Sequence, residues 1–209
     1  MFRPLPKIYA ITDRRISGLT HAEQVIRLVD SGITLIQLRE KELGAGEWFD
    51  DACRAVEYAH QFNASVIVND RLDVAMAARA DGVHLGQTDL PATEARRIAG
   101  EKMLIGVSTH TIEQAKAAVL QPVDYLAFGP IFATGTKQEA DPVVGIDLLP
   151  RIKRMAGRLS LVAIGGITAE NISSVLDSGA DCVAVVSSLL KGGAISKNTE
   201  QFIKLFKHY

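Results

Sequence analysis

Only two cysteines occur in the chain, Cys53 and Cys182, far apart and in no CxxC pair. Their spacing speaks against a disulfide framework or a paired-thiol site, and both read as small core hydrophobes of a reducing compartment. Neither sign of charge is in excess, with 23 Lys and Arg against 24 Asp and Glu. Nothing therefore marks a nucleic-acid or membrane-surface protein, and any anion binding has to be local. No apolar run approaches the about 18 residues of a membrane-spanning helix. A charged-then-apolar leader with a small-residue cleavage site is also missing from the start of the sequence. The expectation is a cytoplasmic chain with no membrane partner. No long Pro/Gly/Ser linker divides its 209 residues, so 1–209 reads as a single domain.

What is present is a regular alternation. Runs rich in β-branched and apolar residues recur at intervals of roughly 20 to 30 residues, at 7–12, 35–39, 65–69, 82–86, 103–108, 125–131, 159–164 and 182–187. Between them lie stretches of helical period, such as Ala22, Val25, Ile26 and Val29, or Ile172, Val175 and Leu176. Strands such as 183–186 are almost wholly apolar, which suits parallel strands covered on both faces. Gly32 and Gly179, each after Asp-Ser, end helices just before a strand. Eight βα units in this length predict the α/β class and a compact (β/α)8 TIM barrel. An open doubly wound sheet is the alternative, weakened because no GxGxxG follows the first strand.

In such a barrel the functional groups belong at the carboxyl ends of the strands. The second strand ends in Gln37-Leu38-Arg39-Glu40-Lys41, where alternation places Gln37, Arg39 and Lys41 together. An Arg fork beside a Lys point charge suits a polyanionic phosphate, although a salt-bridged barrel layer has the same signature. The third strand ends in Asn69-Asp70 and the fourth is followed by Asp89. Two carboxylates at neighbouring strand ends suit Mg2+ together with a diphosphate. Each aspartate also precedes a helix and could be an N-cap.

The fifth strand offers Ser108 and His110, and Ser108 is placed to bind a polar ring substituent. His110 has no evident triad partner, His84 lies within a strand as a hydrogen-bonded core histidine, and His21, His60 and His208 fall in polar helical contexts. None has zinc-ligand spacing. The sixth strand runs into residues 129–137, where small residues, Thr134, Thr136 and Lys137 supply close backbone approach, hydroxyls and a positive charge for phosphate. Gly165-Gly166 after the seventh strand and Val186-Ser187-Ser188 at the eighth match the usual phosphate position of barrels, although a tight turn accounts for one glycine without a ligand.

With these motifs in order, the sequence closely resembles the thiamine phosphate synthase (thiamine-phosphate pyrophosphorylase) family. The resemblance rests on Tyr9-Ala-Ile-Thr-Asp13, Gln37-Leu-Arg-Glu-Lys41, Val68-Asn-Asp70, Asp81-Gly-Val-His-Leu-Gly-Gln87, Gly106-Val-Ser-Thr-His110, Gly129-Pro-Ile-Phe132, Thr136-Lys137 and Ile164-Gly-Gly-Ile167. It implies a transferase that joins 4-amino-2-methyl-5-(diphosphooxymethyl)pyrimidine to 4-methyl-5-(2-phosphooxyethyl)thiazole, giving thiamine phosphate and pyrophosphate. In the family the pyrophosphate leaves before the thiazole nitrogen attacks.

By the same resemblance Gln37, Arg39, Lys41, Asn69, Ser108 and Lys137 bind the pyrimidine diphosphate, with Leu38 and Glu40 in the same segment. Arg39, Lys41, Lys137 and Ser108 serve catalysis, and Asp70 and Asp89 hold Mg2+. Thr134, Gly135, Thr136, Gly166, Val186 and Ser187 bind the thiazole phosphate. Thr88 departs from the family pattern, in which many members have an acidic residue there, and the acidic stretch 138–144 is expected to close over the substrates. The partners expected are these small molecules, without nucleic acid, and a homo-oligomer is compatible with a small barrel. Two alternatives remain: a related thiazole tautomerase, which would dispense with the Mg2+ and diphosphate residues, and a non-catalytic barrel that binds thiamine precursors.

Overall fold

The structure, a computed structural model, describes residues 4–136 and 141–206. Eight parallel strands close on one another in chain order: β1 (Ile8–Thr12), β2 (Leu35–Leu38), β3 (Ser65–Asn69), β4 (Gly82–Leu85), β5 (Leu104–Thr109), β6 (Tyr125–Phe128), β7 (Ser160–Ile164) and β8 (Cys182–Val185). The ring is completed where Tyr9 of β1 pairs with Ala184 of β8. The barrel expectation is met.

Helices follow the strands. In chain order they are α1 (Arg14–Ser17), α2 (His21–Asp30), α3 (Ala45–Gln61), α4 (Leu72–Ala77), α5 (Ala92–Ala99), α6 (Ile112–Ala118), α7 (Leu149–Ala156), α8 (Ile172–Asp177), α9 (Ser187–Leu190) and α10 (Ile195–Leu205). No helix among the described residues is long and apolar enough to cross a membrane.

The period-2 pattern divides the apolar residues into two layers. Tyr9, Ile11, Leu35, Ile67, Tyr125, Ala127, Val162, Cys182 and Ala184 fill the barrel interior. The alternate residues, Ile8, Ala10, Ile36, Leu38, Val66 and Val68 among them, pack outward against the helices. Both faces are thus buried, which is why the strands read as nearly continuous apolar runs.

Several strands stop earlier than the pattern predicts. β2 ends at Leu38, β4 at Leu85, β6 at Phe128 and β8 at Val185. The residues that follow leave the ladder and turn over the barrel mouth. Pro130, which has no N–H to give a neighbouring strand, enforces the stop after β6, and the Gly129–Pro130 peptide is cis. β5 instead starts and ends one residue later than the pattern predicts, at Leu104–Thr109, where the buried Thr109 hydroxyl donates to the Ala127 carbonyl at 2.9 Å.

Candidate active site

One cavity of about 410 Å3 opens at the carboxyl end of the barrel, with Tyr9, Ile11, Ala127, Val162 and Ala184 of the interior layer as its floor. Its rim gathers side chains from strands that are distant in sequence. Gln37, Arg39 and Lys41 come from the end of β2, Asn69 and Asp70 from β3, and Asp89 from the turn after β4. Ser108 comes from β5, Thr134 and Thr136 from the loop after β6, Gly166 from the turn after β7, and Val186 and Ser187 from the end of β8.

Three proposed residues do not line this cavity. Leu38 is buried outward in the helix-facing layer, Glu40 turns back beneath its own loop, and Gly135 lies between the two lining threonines. Lys137 and residues 138–140, the first part of the expected closing segment 138–144, fall outside the described residues. Of its remainder, Asp141 lines the cavity with its carboxylate 3.5 Å from His110 Nε2, and the Val144 N–H donates to the Pro130 carbonyl at 2.9 Å.

The cations at the rim are already paired. Arg39 NH1 donates to Asp13 Oδ2 at 2.8 Å, and Lys41 Nζ donates to Asp70 Oδ2. Glu40 accepts from the backbone N–H groups of Lys41, Glu42 and Leu43 at 2.6, 2.6 and 3.2 Å, so the loop that carries both cations is wound round one carboxylate. Burial opposes the charge of Glu40, but these donors and the His21 ring outweigh it and hold the carboxyl below its usual range.

His21 corrects the sequence reading. Instead of lying on a polar helix face it is fully buried, with Nε2 3.1 Å from Glu40 Oε2 and Nδ1 2.6 Å from the Thr12 hydroxyl. A carboxylate can only accept, so Nε2 carries the proton toward Glu40, and the neutral ring's Nδ1 shares the Thr12 hydroxyl proton with the Gln37 carbonyl, 3.1 Å from Thr12 Oγ1. The helical period counted His21 by its polar neighbours, whereas the first turn of α2 is tucked under α3, where Asp51 accepts from the His21 and Ala22 N–H groups at 2.7 and 3.2 Å.

Neither Asp70 nor Asp89 is a helix cap. The cap positions of α4 and α5 are held by Arg71 and Pro91, without side-chain bonds. Asp70 sits at a left-handed φ of 63°, directly after β3, and Asp89 Oδ2 accepts from the Gly86 N–H at 2.7 Å. Burial and then the neighbouring Asp70 push the Asp89 carboxyl above its ordinary value, against the pull of the Gly86 N–H and Lys41. Two carboxylates crowded in this way favour an added cation, and Lys41 already supplies one charge there. Among the described residues no cluster of three or more His, Cys, Asp or Glu could hold a metal. A donor set of two carboxylates fits Mg2+, which keeps several waters and takes its other oxygens from phosphates.

At the opposite rim the backbone is brought close to the cavity. Gly166 has φ 63°, and a Cβ there would meet the Ala133 carbonyl and Phe132, so only glycine fits against this loop. Asn171 donates to the Gly166 carbonyl at 3.0 Å and Ser188 to the Ile167 carbonyl at 2.9 Å, which makes Ser188 a brace for the turn. The Thr136 N–H and hydroxyl lie 3.4 and 3.3 Å from Thr134 Oγ1.

Against this geometry, a family model described as thiamine monophosphate synthase matches residues 8–189. The chain belongs to the thiamine monophosphate synthase family. Like its relatives it is a transferase that makes thiamine phosphate. The thiamine-phosphate synthase of Koribacter versatilis is 46% identical over 193 residues, covering 89% of this chain and 90% of that one. The thiamine-phosphate synthase of Methanocella arvoryzae is 44% identical over 184 residues, covering 88% and 86%. Thiamine phosphate pyrophosphorylase from Pyrococcus furiosus superposes with a TM-score of 0.87 at 34% identity, covering 96% of this chain and 95% of that one.

For a thiamine monophosphate synthase, sequence reasoning missed Asp13, Thr12, Tyr9 and Tyr125. Asp13 and Thr12 hold the Arg39 segment, since the Arg39 N–H also donates to Thr12 Oγ1 at 3.3 Å. Tyr9 and Tyr125 were legible only by phase: each shares the inward phase, with Ile11 and Ala127, and a phenol sealed in a barrel needs a polar partner.

Proposed function

We propose that the cavity joins 4-amino-2-methyl-5-(diphosphooxymethyl)pyrimidine to 4-methyl-5-(2-phosphooxyethyl)thiazole, releasing pyrophosphate. The observation that carries this reading is the division of one rim into two halves. Arg39, Lys41, Asp70 and Asp89 gather on one side, and Thr134, Thr136, Gly166 and Ser187 on the other. Two carboxylates with two cations suit a diphosphate with its metal, whereas hydroxyls and close backbone suit a monophosphate.

Asp70 and Asp89 would hold Mg2+, which when bound supplies positive charge to the departing diphosphate. Arg39 and Lys41 bind and orient that diphosphate and stabilise the negative charge it gains. The C–O bond breaks with its electron pair passing to the diphosphate, and the thiazole nitrogen lone pair forms the new C–N bond. No protein nucleophile takes part. Gly166, Ser187, Thr134 and Thr136 fix the thiazole phosphate so that its nitrogen faces the reacting carbon, and this alignment supplies much of the rate. Lys137, beside Thr136 in the chain, completes the diphosphate half, with Gln37, Asn69 and Ser108 on the pyrimidine. The chain acts as one cytoplasmic domain on these small molecules.

The test supplies both purified substrates with Mg2+ and measures thiamine phosphate and pyrophosphate. Formation of both in equal amounts is the expected result. Thiazole isomerisation without pyrophosphate would replace this reading with that of a tautomerase, and binding without turnover with that of a sensor.

A further inference from the structure

A chain of hydrogen bonds crosses the barrel under the cavity. Gln37 Nε2 donates to the Tyr9 hydroxyl at 2.9 Å, the Tyr9 and Tyr125 hydroxyls are 2.9 Å apart, Tyr125 lies 3.0 Å from His84 Nδ1, and His84 Nε2 lies 2.8 Å from Ser108 Oγ. We propose that Tyr9, Tyr125 and His84 form a one-way relay that starts at the Gln37 amide and fixes the Ser108 hydroxyl as a hydrogen-bond donor into the cavity.

The direction follows from proton counting. A phenol has one proton. Tyr9 receives from Gln37 and its other hydrogen-bond neighbour is Tyr125, so the reverse direction would leave a buried phenol proton unmatched; Tyr9 therefore donates to Tyr125, and Tyr125, having received, gives its proton to His84 Nδ1. The neutral imidazole then carries its hydrogen on Nε2 and donates to Ser108 Oγ. With its oxygen already occupied by that donor, Ser108 directs its O–H away from His84 and toward the cavity it lines. Burial raises both phenol pKa values, so neither tyrosine loses the proton that it passes on.

The strand register holds the relay together. His84, Gly106 and Tyr125 are Cα partners on three successive strands, so they form one level of the barrel. A Cβ on Gly106 would overlap the Tyr125 ring. The side chain missing from the middle strand lets the outer two rings stack across it, at 5.6 Å between centroids and 24° between planes, while Tyr9 meets Tyr125 edge-on at 5.9 Å.

The relay deepens the proposed function and rests on it for the identity of the ligand. A hydroxyl held as a donor selects a ring nitrogen with a free lone pair, as on the pyrimidine, and rejects a ring that presents N–H at that place. Tyr9, Tyr125 and His84 are positioning residues, since they act through Ser108.

The test is a long-range proton–nitrogen NMR spectrum of ligand-free protein labelled at histidine, at about pH 8, where an ordinary imidazole is neutral, with His84→Gln identifying the resonance. The expected spectrum shows His84 protonated on Nε2. In Tyr125→Phe the donor to Nδ1 is gone, so signal moves toward the Nδ1–H form, and kcat/KM for the pyrimidine diphosphate falls about tenfold while KM for the thiazole phosphate is kept. In Tyr9→Phe, where Tyr125 still donates, His84 keeps its proton on Nε2. An Nδ1–H form in the wild type, or an unchanged tautomer in folded Tyr125→Phe, overturns the relay. If Tyr125→Phe does not fold, the wild-type and Tyr9→Phe spectra decide. Because the spectra need no substrate, loss of the proposed reaction would leave the relay standing.

Discussion

Asp13 holds Arg39 at 2.8 Å and, with its other oxygen, accepts the Arg15 and Ile16 N–H groups at 3.0 and 3.3 Å that open α1. One carboxylate therefore serves both a cation of the cavity rim and a helix end. The two roles are separable. Asp13→Asn keeps an oxygen for the cap but drops the charge that aims Arg39, and kcat/KM for the pyrimidine diphosphate should fall about tenfold. Asp13→Ala loses the cap as well, and should be less stable than Asp13→Asn by about 1 kcal/mol. Steady-state kinetics and denaturant melts on the pair check this, and equal melts would remove the cap from the account.

Acid should weaken the fold through His21. Burial, its largest influence, holds the His21 pKa below the ordinary value in spite of Glu40. The unfolded chain therefore takes up the proton first as pH falls below about 6.5. The folded state keeps its full stability above that pH and loses it progressively below, toward the depressed folded value. Glu40, whose carboxyl is held low, adds a second loss below about pH 4.3. Melting temperatures measured from pH 8 to pH 5 should fall, and His21→Gln should flatten the slope over that interval.

Gly106→Ala should damage the site from beneath. Its new methyl would overlap the Tyr125 ring, and forced overpacking of this kind costs about 1–3 kcal/mol. Turnover should fall by more than the stability loss explains. A Gly106→Ala protein that melts like wild type and binds the pyrimidine diphosphate unchanged would mean that Tyr125 moves freely.

The paired carboxylates should be visible through thermal shift. Inorganic pyrophosphate with Mg2+ should raise the melting temperature of the wild type, because a ligand that binds the folded state stabilises it. In Asp70→Asn and in Asp89→Asn, the Mg2+ concentration needed should rise at least about tenfold. Titrations that coincide for all three proteins would take the metal away from these residues.

The strands were legible because a sheet covered on both faces leaves little choice of residue, as in the Val183 to Val185 run of β8. The rim residues were legible because polar types at strand ends stand out against such runs, as Gln37, Arg39 and Lys41 do after Ile36. What stayed hidden was pairing across the barrel. Asp13 and Arg39 are 26 residues apart and Tyr9 and Tyr125 are 116 apart, and no local period records that they meet. His21 was misplaced for the same reason: its partners Thr12 and Glu40 come from the end of β1 and the loop after β2, which no helical period of α2 records. Gly106 reads as an ordinary strand glycine until the ring of its Cα partner, Tyr125, is seen in the vacated space.

The three N–H groups gathered by Glu40 have one more consequence. Arg39 and Lys41 flank the residue that anchors their own loop, so the spacing of the two cations is set by where that carboxylate sits in the chain. One inserted or deleted residue between 39 and 43 would swing a cation away from the cavity and unseat the anchor at the same step. On the outer side of this connection Glu42 meets Arg15 in an exposed ion pair at 3.6 Å, which tolerates replacement, whereas the spacing from Arg39 to Leu43 is locked by the anchor at Glu40.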